Sequence, residues 1–219
     1  MLATSTQLQP LAGTLLVEAL RSGALVLDVR APEQFVSFHI RRAIQIGLAG
    51  PFASWAAMLI PSAQKLVLVA DDIVAVHEAH TRLTRVGLEN VIGYSLADEE
   101  EWRNDGIDVA SICVYRSPAV RLILLTDPAI QLVDVRSQAE WLRGHLPGAI
   151  SLPLLDFDSR ARRIDQSKPS LLYCHEGFRA TTAASILLRE SDDNVDILID
   201  GVEGWLASGL TLVAPHTMI

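Results

Sequence analysis

The sequence predicts an α/β protein made of two similar domains, each a doubly wound parallel sheet flanked by helices. Two observations support this fold class. Short apolar segments of strand length alternate along the chain with segments of helical periodicity, as is typical of parallel sheets. The chain also repeats itself, because "LVLDVRAPEQFVSFHIRRAIQI" (25–46) aligns with "QLVDVRSQAEWLRGHLPGAISL" (131–152) at a constant offset of 106 residues. A period of this length indicates two copies of one domain rather than a solenoid.

Each copy contains the same elements in the same order. A short apolar strand precedes a polar segment with helical spacing, and a second strand follows it. Next come a fully apolar strand, an amphipathic helix, a further strand and a last helix around a tryptophan. The predicted strands cover 25–29, 43–46, 65–69 and 90–94 in the first copy, and 131–135, 149–152, 170–173 and 195–199 in the second.

The domain boundary is expected in "NDGIDVASICVYRSPA" (104–119), which contains turn residues and a proline. The predicted domains are residues 1–110 and 117–219. A chain of 219 residues, half of them hydrophobic, is long enough for two packed cores.

Charge and hydropathy exclude several classes of function. Residues 1–110 carry 8 basic against 13 acidic side chains, and residues 111–219 carry 10 against 13. Neither half is basic, so a nucleic-acid surface is disfavoured. The apolar stretch "AGPFASWAAMLIP" (49–61) is too short to span a bilayer, so it is expected to be a buried helix or loop, and no membrane partner is predicted.

Cysteine usage and the N-terminal residues predict a cytoplasmic location. The two cysteines, Cys113 and Cys174, do not form a disulfide framework. The first residues, "MLATSTQLQPLAG", lack the basic start and apolar core of a signal peptide.

The stretch "LLYCHEGFRATTAASILL" (171–188) predicts a reactive thiol. Cys174 ends an apolar strand, and ligands of parallel sheets bind at the carboxyl ends of strands. A helix is predicted directly after it, because apolar residues recur at helical spacing. Those residues are Ala180, Ala183, Ala184, Leu187 and Leu188.

The residues around Cys174 favour the thiolate over the thiol. Loop amides before a helix can form an anion nest, and the helix dipole adds positive potential. Gly177 allows a tight turn with positive φ, and Arg179 adds a positive charge near the rim of the loop. A thiolate is the reactive form of cysteine. The alternative is a buried cysteine that only packs, which would need neither Gly177 nor Arg179.

These motifs resemble those of the rhodanese-like sulfurtransferases. "CHEGFRA" matches the family's loop pattern C-x-x-G-x-R-[SA], "LVDVRSQAEWLRGHLPGAISLPL" (132–154) matches its opening motif, and "DGVEGW" (200–205) matches its Gly-rich turn before a tryptophan. The resemblance covers residues 117–213 and is looser in the first half. "GPFASWAAMLIP" and "LVLVADD" also resemble the rhodanese part of metallo-β-lactamase–rhodanese persulfide dioxygenases, although no H-x-H-x-D-H motif occurs in the sequence.

The resemblance implies a tandem sulfurtransferase with a two-step transfer of sulfur. Cys174 would attack a sulfane sulfur donor, become a persulfide and pass the outer sulfur to a thiol or a cyanide-like acceptor. The five residues that follow would form the substrate-binding cradle. They are His175, Glu176, Gly177, Phe178 and Arg179.

The resemblance leaves the donor open. Arg179 would steady the loop and attract an anionic donor. Glu176 would oppose such a donor, so its side chain is expected to point to solvent or to shift the preference from thiosulfate to a thiol persulfide. Mercaptopyruvate ranks last as a donor, and a persulfide-producing enzyme is a further candidate partner. No cofactor and no metal are expected, since His77 and His80, although one helical turn apart, have no supporting cluster.

Two other functions remain as alternatives. A cysteine phosphatase or arsenate reductase uses C-x5-R, whereas Cys174 and Arg179 form the shorter C-x4-R. The other alternative is a non-catalytic module that binds a partner through the same fold.

The first copy is expected to be catalytically silent. Ala70 or Asp71 takes the place of Cys174, and no glycine or arginine follows at the right spacing. Several other residues occur at matching positions in both copies, which favours a structural role for them, with salt bridges or loop hydrogen bonds for the charged ones. These are Asp28 with Asp134, Arg30 with Arg136, and His39 with His145.

Overall fold

A computed structural model describes residues 8–157, 164–165, 167–190 and 194–214. The chain divides into two compact units, residues 1–111 and 112–219. Among the described residues, no helix is long and apolar enough to cross a membrane.

The first unit is built on a four-stranded parallel sheet in the order β3-β1-β4-β5. A separate two-stranded antiparallel ladder pairs β2 with β6. The elements are α1 (Gly13–Arg21), β1 (Leu25–Asp28), α2 (Pro32–Ser37), β2 (His39–Ile40), β3 (Ile44–Gln45), α3 (Phe52–Leu59), β4 (Leu66–Ala70), α4 (Ile73–Thr84), β5 (Val91–Leu96), α5 (Glu99–Asn104) and β6 (Val109–Ala110).

The second unit is built on a five-stranded parallel sheet in the order β7-β11-β10-β8-β9. A short 3-10 turn (Leu154–Asp156) follows β9. The other elements are β7 (Val114–Tyr115), α6 (Ser117–Thr126), β8 (Gln131–Asp134), α7 (Gln138–Arg143), β9 (Ile150–Ser151), β10 (Ser170–Tyr173), α8 (Phe178–Glu190), β11 (Val195–Leu198) and α9 (Gly201–Ala207).

The predicted α/β class with two parallel sheets flanked by helices is confirmed. The central strands β1, β4 and β10 are buried along their whole length, because helices cover both faces of a doubly wound sheet. The edge strand β7 was not predicted from the sequence, since a two-residue strand is too short to show a period. The apolar stretch 49–61 contains the short helix α3, whose Phe52 and Ala56 are buried as expected.

One side of the sheet in the second unit packs against α6 and α9. This core cluster includes Tyr173 of β10 and Trp205 of α9. The Tyr173 hydroxyl accepts a hydrogen bond from the Leu146 backbone N–H at 3.1 Å, so its polar end is satisfied within the core. The same strand therefore anchors the core with Tyr173 and ends at the next residue, Cys174.

The expected salt bridges are present in both units. Arg136 bonds Asp134 through two nitrogens, with a shortest distance of 2.6 Å, and also donates to the Gly144 carbonyl at 2.7 Å. Arg30 pairs with Asp28 at 2.7 Å in the same way. These pairs are buried, and each fixes the turn that follows the first strand of its sheet.

Both histidines of the repeat are buried and hydrogen-bonded to the backbone. The ring of His145 stacks on Trp141 with centroids 3.5 Å apart, and Nδ1 lies 3.3 Å from the Trp141 carbonyl oxygen. His39 has the same relation to Phe35. Burial lowers the pKa of His39 to about 4, so its imidazole stays neutral at pH 7. These contacts support a structural role, as the sequence predicted.

Candidate active site

Cys174 lies at the carboxyl end of the central strand β10. The preceding residue, Tyr173, is in register with Asp134 of β8 on one side and with Leu198 of β11 on the other. The thiol side chain is buried, with 1% of the residue exposed. A side chain in this position is held in place because β10 pairs with a strand on each side. It lies at the carboxyl ends of the strands, where ligands of parallel sheets bind.

The loop 174–177 folds back so that a backbone donor points at the sulfur. The Gly177 N–H donates to the Cys174 Sγ at 3.1 Å, immediately before α8 begins at Phe178. Gly177 has φ of 89°, and a Cβ there would lie 2.6 Å from the Ile199 carbonyl oxygen. Glycine is therefore required both for the turn and for clearance. The Gly177 amide and the N-terminus of α8 both direct positive potential towards the sulfur.

The backbone of the loop is also held from the other side by α9. The Val202 N–H donates to the Cys174 carbonyl at 3.0 Å, and the Glu203 N–H donates to the His175 carbonyl at 3.3 Å. A Cβ on Gly201 would lie 2.5 Å from the Cys174 carbonyl oxygen. The Gly-rich "DGVEGW" turn thus brings the first amides of α9 onto the active loop.

Arg179 forms a two-pronged ion pair with Glu140 of α7. The distances are 2.6 Å from Nη1 to Oε2 and 2.8 Å from Nη2 to Oε1, and about three-quarters of each side chain is buried. Hydrogen bonding from Arg179 lowers the pKa of Glu140 to about 2, and the same bonds raise the pKa of Arg179. Glu140 therefore stays ionised at neutral pH and balances the guanidinium charge, which weakens its attraction for an anionic donor.

Glu140 is a member of this arrangement that was not predicted from the sequence. It forms a capping box at the start of α7, where its carboxylate accepts from the N–H and hydroxyl of Ser137. Its counterpart in the repeat is Gln34. The available signal was a glutamate in the second copy where the weakly similar first copy has glutamine.

The two variable residues of the loop point to solvent. The side chains of His175 and Glu176 are 53% and 56% exposed, so the side chain of Glu176 points to solvent, which is the first of the two alternatives expected for it. Among the described residues, they form one cluster with the exposed Glu203, with potential ligand atoms all within 4.8 Å of one another. Phe178 is half-buried at the start of α8. The sequence could not predict this cluster, because Glu203 comes from α9.

The register resolves which residue of the first unit occupies the position of Cys174. Asp28 is opposite Val69 in the first sheet, as Asp134 is opposite Tyr173 in the second. The residue that corresponds to Cys174 is therefore Ala70, not Asp71. Asp71 instead accepts a 2.8 Å hydrogen bond from the Gln34 side chain.

The first unit also has a shorter connection at this point. Counted from the corresponding positions Ala70 and Cys174, two residues precede α4 and three precede α8. Asp72 caps α4 by accepting from the Ala75 N–H at 2.8 Å. A loop of two residues provides neither a thiol nor a cradle of amides around one.

Cys113 does not belong to this arrangement. It is exposed and directly precedes β7, whereas Cys174 follows the carboxyl end of β10. A hydrogen bond with Cys113 raises the pKa of Tyr115 to about 12.

Comparison with known proteins identifies the family. The model of the rhodanese-like domain matches residues 121–208. A sulfurtransferase of Allochromatium vinosum is 33% identical over 87 residues, which cover 40% of this chain and 81% of that protein. The thiosulfate sulfurtransferase GlpE of Coxiella burnetii is 31% identical over 78 residues, covering 36% of this chain and 73% of that protein.

The chain belongs to the rhodanese-like family. A solved thiosulfate sulfurtransferase of Pseudomonas aeruginosa is similar over 96% of this chain and 44% of that chain, with 19% identity and a TM-score of 0.42. The family match and the relatives named sulfurtransferases support a function of the sulfurtransferase type.

Proposed function

We propose that this protein is a sulfurtransferase that moves a sulfane sulfur from thiosulfate or a thiol persulfide to a thiophilic acceptor through a persulfide on Cys174. The observation that carries the proposal is the buried sulfur of Cys174, which accepts the Gly177 N–H at 3.1 Å at the head of α8. A cysteine that only packs would need no donor aimed at its sulfur.

In the first step, the Cys174 thiolate attacks the sulfane sulfur of the donor. A new S–S bond forms on Cys174, and the donor's S–S bond breaks with its electron pair leaving on sulfite or on a thiolate. In the second step, the acceptor attacks the outer sulfur, and the Cys174 thiolate leaves. No external oxidant or reductant is needed, because one S–S bond is exchanged for another bond to the same sulfur.

The surrounding residues have distinct roles in this proposal. The Gly177 amide stabilises negative charge at the sulfur. The amides of Val202 and Glu203 and the Glu140–Arg179 ion pair hold the loop in place, so that little reorganisation is needed during transfer. His175 and Glu176 lie at the exposed entrance, and Phe178 begins the helix behind it.

We further propose that the chain is a tandem of two rhodanese-like domains, of which residues 1–110 are silent and residues 117–219 are active. The shared strand order and the shared buried salt bridges support this arrangement. The alanine at position 70 and the short loop after it are consistent with a silent domain that stabilises its twin or binds a partner, such as a persulfide-producing enzyme.

The proposal is tested by measuring the intact mass of the protein after incubation with thiosulfate, and separately with glutathione persulfide. We expect a gain of one sulfur atom that is lost on adding cyanide. The gain should be absent in Cys174→Ser and retained in Cys113→Ser, which is the matched control.

Sulfur loading that persists in folded Cys174→Ser would contradict the proposal. Folded wild-type protein that takes up no sulfur from either donor would instead favour a partner-binding module. Turnover of a small aryl phosphate would favour the phosphatase alternative, which the pairing of Arg179 with Glu140 disfavours.

A further inference from the structure

Two carboxylates and an imidazole form an exposed acidic rim beside the candidate nucleophile. We define the acidic rim as His175, Glu176 and Glu203. All three side chains are exposed, and their polar atoms lie within 4.8 Å of one another. Glu176 is two residues from Cys174, and Glu203 follows Val202, whose N–H bonds the Cys174 carbonyl. A donor that approaches the sulfur therefore passes within about 10 Å of both carboxylates.

Among the described residues, two guanidinium groups near the candidate nucleophile are already engaged in ion pairs. Arg179 is paired with Glu140 through both terminal nitrogens. Arg136 is paired with Asp134 and the Gly144 carbonyl. The carboxylates of the acidic rim are exposed, whereas the charges of these two arginines are balanced by Glu140 and Asp134.

We infer that the acidic rim selects sulfur donors by charge, and that it favours a persulfide with an ammonium group next to the sulfane sulfur over an anionic donor such as thiosulfate. This inference rests on the proposed function and names the donor class for the same site. Glu176 and Glu203 attract the ammonium group and repel a carboxylate or a sulfonate in the same place. Thiosulfate carries two negative charges and no cation, so it is the less suitable donor.

The expected effect follows from screened Coulomb interactions. A donor with a cationic group and a donor with an anionic group at the same place differ by two units of charge, and that charge interacts with two carboxylates. If the charged group lies about 8 Å from each carboxylate, the rate constants for loading from the two donors should differ roughly tenfold at low salt because of these interactions. Each single substitution to glutamine should contribute about threefold.

The test uses two persulfides of equal length, cysteamine persulfide and 3-mercaptopropionate persulfide. Formation of the Cys174 persulfide is followed by rapid quenching and intact-mass measurement, in EDTA so that no metal ion covers the carboxylates. Because the two leaving thiols differ in basicity, the readout is the change in the ratio of the two rate constants on mutation. We expect the cationic-to-anionic ratio to fall about tenfold in Glu176→Gln/Glu203→Gln and to fall in the wild type as salt is raised.

Asp127→Asn is the control, because it removes one exposed acidic charge far from Cys174. Asp127 precedes the amino end of β8, whereas Cys174 lies at the carboxyl end of the parallel strand β10. Its ratio should equal that of the wild type. If the double variant loads both donors with an unchanged ratio, the acidic rim does not select by charge and the inference is overturned. If the wild type loads neither donor, the proposed function itself fails, and the two failures are therefore distinguishable.

Discussion

Glu140→Gln removes one charge from the ion pair that links α7 to the start of α8, directly after the Cys174 loop, while keeping the size of the side chain. In the wild type, the carboxylate binds both terminal nitrogens of Arg179 at 2.6 and 2.8 Å and also caps α7 through Ser137. Glutamine retains one acceptor oxygen but leaves a three-quarters-buried guanidinium without its counter-charge. We therefore expect the second unit to be destabilised and the loop after Cys174 to become less ordered.

The magnitude can be estimated from the pKa of Glu140, which Arg179 lowers to about 2. Relative to an ordinary glutamate at about 4.3, this shift corresponds to at most about 3 kcal/mol of free energy of unfolding. Partial exposure and screening reduce the estimate to about 1–2 kcal/mol at pH 7. Because the folded-state pKa is depressed, this contribution is present above about pH 4.3 and is lost as the pH falls towards 2.

The assay is hydrogen exchange of the amides of β8 and β10, which reports on the second unit within the intact chain. At pH 7, Glu140→Gln should lower the opening free energy by about 1–2 kcal/mol. In denaturant titrations followed on the same amides by pulse labelling, the difference from wild type should fall to less than about half at pH 3.

Glu99→Gln is the matched control for this prediction, and its effect is followed on the amides of β1 and β4, because Glu99 lies in the first unit. Glu99 also pairs with an arginine, Arg103, but both side chains are roughly half exposed, so its loss should cost about 0.5 kcal/mol or less. Equal effects of the two substitutions at pH 7, or a Glu140→Gln effect that does not depend on pH, would refute the assigned role of the ion pair.

Three further substitutions have defined expected outcomes. Arg42 has φ of 66°, a conformation that is strained for a residue with a Cβ. Arg42→Gly should therefore raise the free energy of unfolding of the first unit by about 0.5–1 kcal/mol in chemical denaturation. Arg42→Ala keeps a Cβ and should give no such gain. Gly201→Ala should lower the free energy of unfolding by about 2 kcal/mol or more and slow persulfide formation on Cys174, because the new Cβ meets the loop carbonyls. Its control is Gly209→Ala, since Gly209 also has positive φ but open space around it. Gly209→Ala should lower the free energy of unfolding by about 1 kcal/mol and leave the rate of sulfur loading unchanged in mass-spectrometric time courses. Tyr173→Phe should lower the free energy of unfolding by about 1–2 kcal/mol, because the buried N–H of Leu146 loses its acceptor. An unchanged thermal melting profile would contradict a stabilising role of this hydrogen bond.

The silence proposed for the first unit has a structural basis beyond the missing thiol. Replacing Ala70 by cysteine would place a thiol at the strand end, but the two-residue connection that follows provides no equivalent of Gly177. Where Glu140 pairs with Arg179 in the second unit, the uncharged side chain of Gln34 donates a hydrogen bond to the Asp71 carboxylate in the first. Restoring a cradle would therefore require a longer loop as well as new side chains.

The local signals in the sequence determined the fold class and the candidate nucleophile. Apolar runs of four or five residues alternate with segments of helical spacing, and this periodicity depends only on neighbours along the chain. The position of Cys174 at a strand end, the turn at Gly177 and the helix after it are local in the same sense. The buried salt bridge of Asp134 with Arg136 was also predictable, because its members are two residues apart.

Tertiary structure decided everything that depends on segments distant in the chain. Arg179 meets Glu140 across 39 residues, and the amides of α9 reach the loop carbonyls only because β11 lies beside β10. The choice of Ala70 over Asp71 and the convergence of Glu176 with Glu203 likewise depend on strand register and on which strands are neighbours. Sequence periodicity fixes which face of an element is buried, but not which element packs against it. The candidate nucleophile was therefore predictable from the sequence, whereas the nearby ion pair and the neighbouring carboxylates of Glu176 and Glu203 were set by the fold.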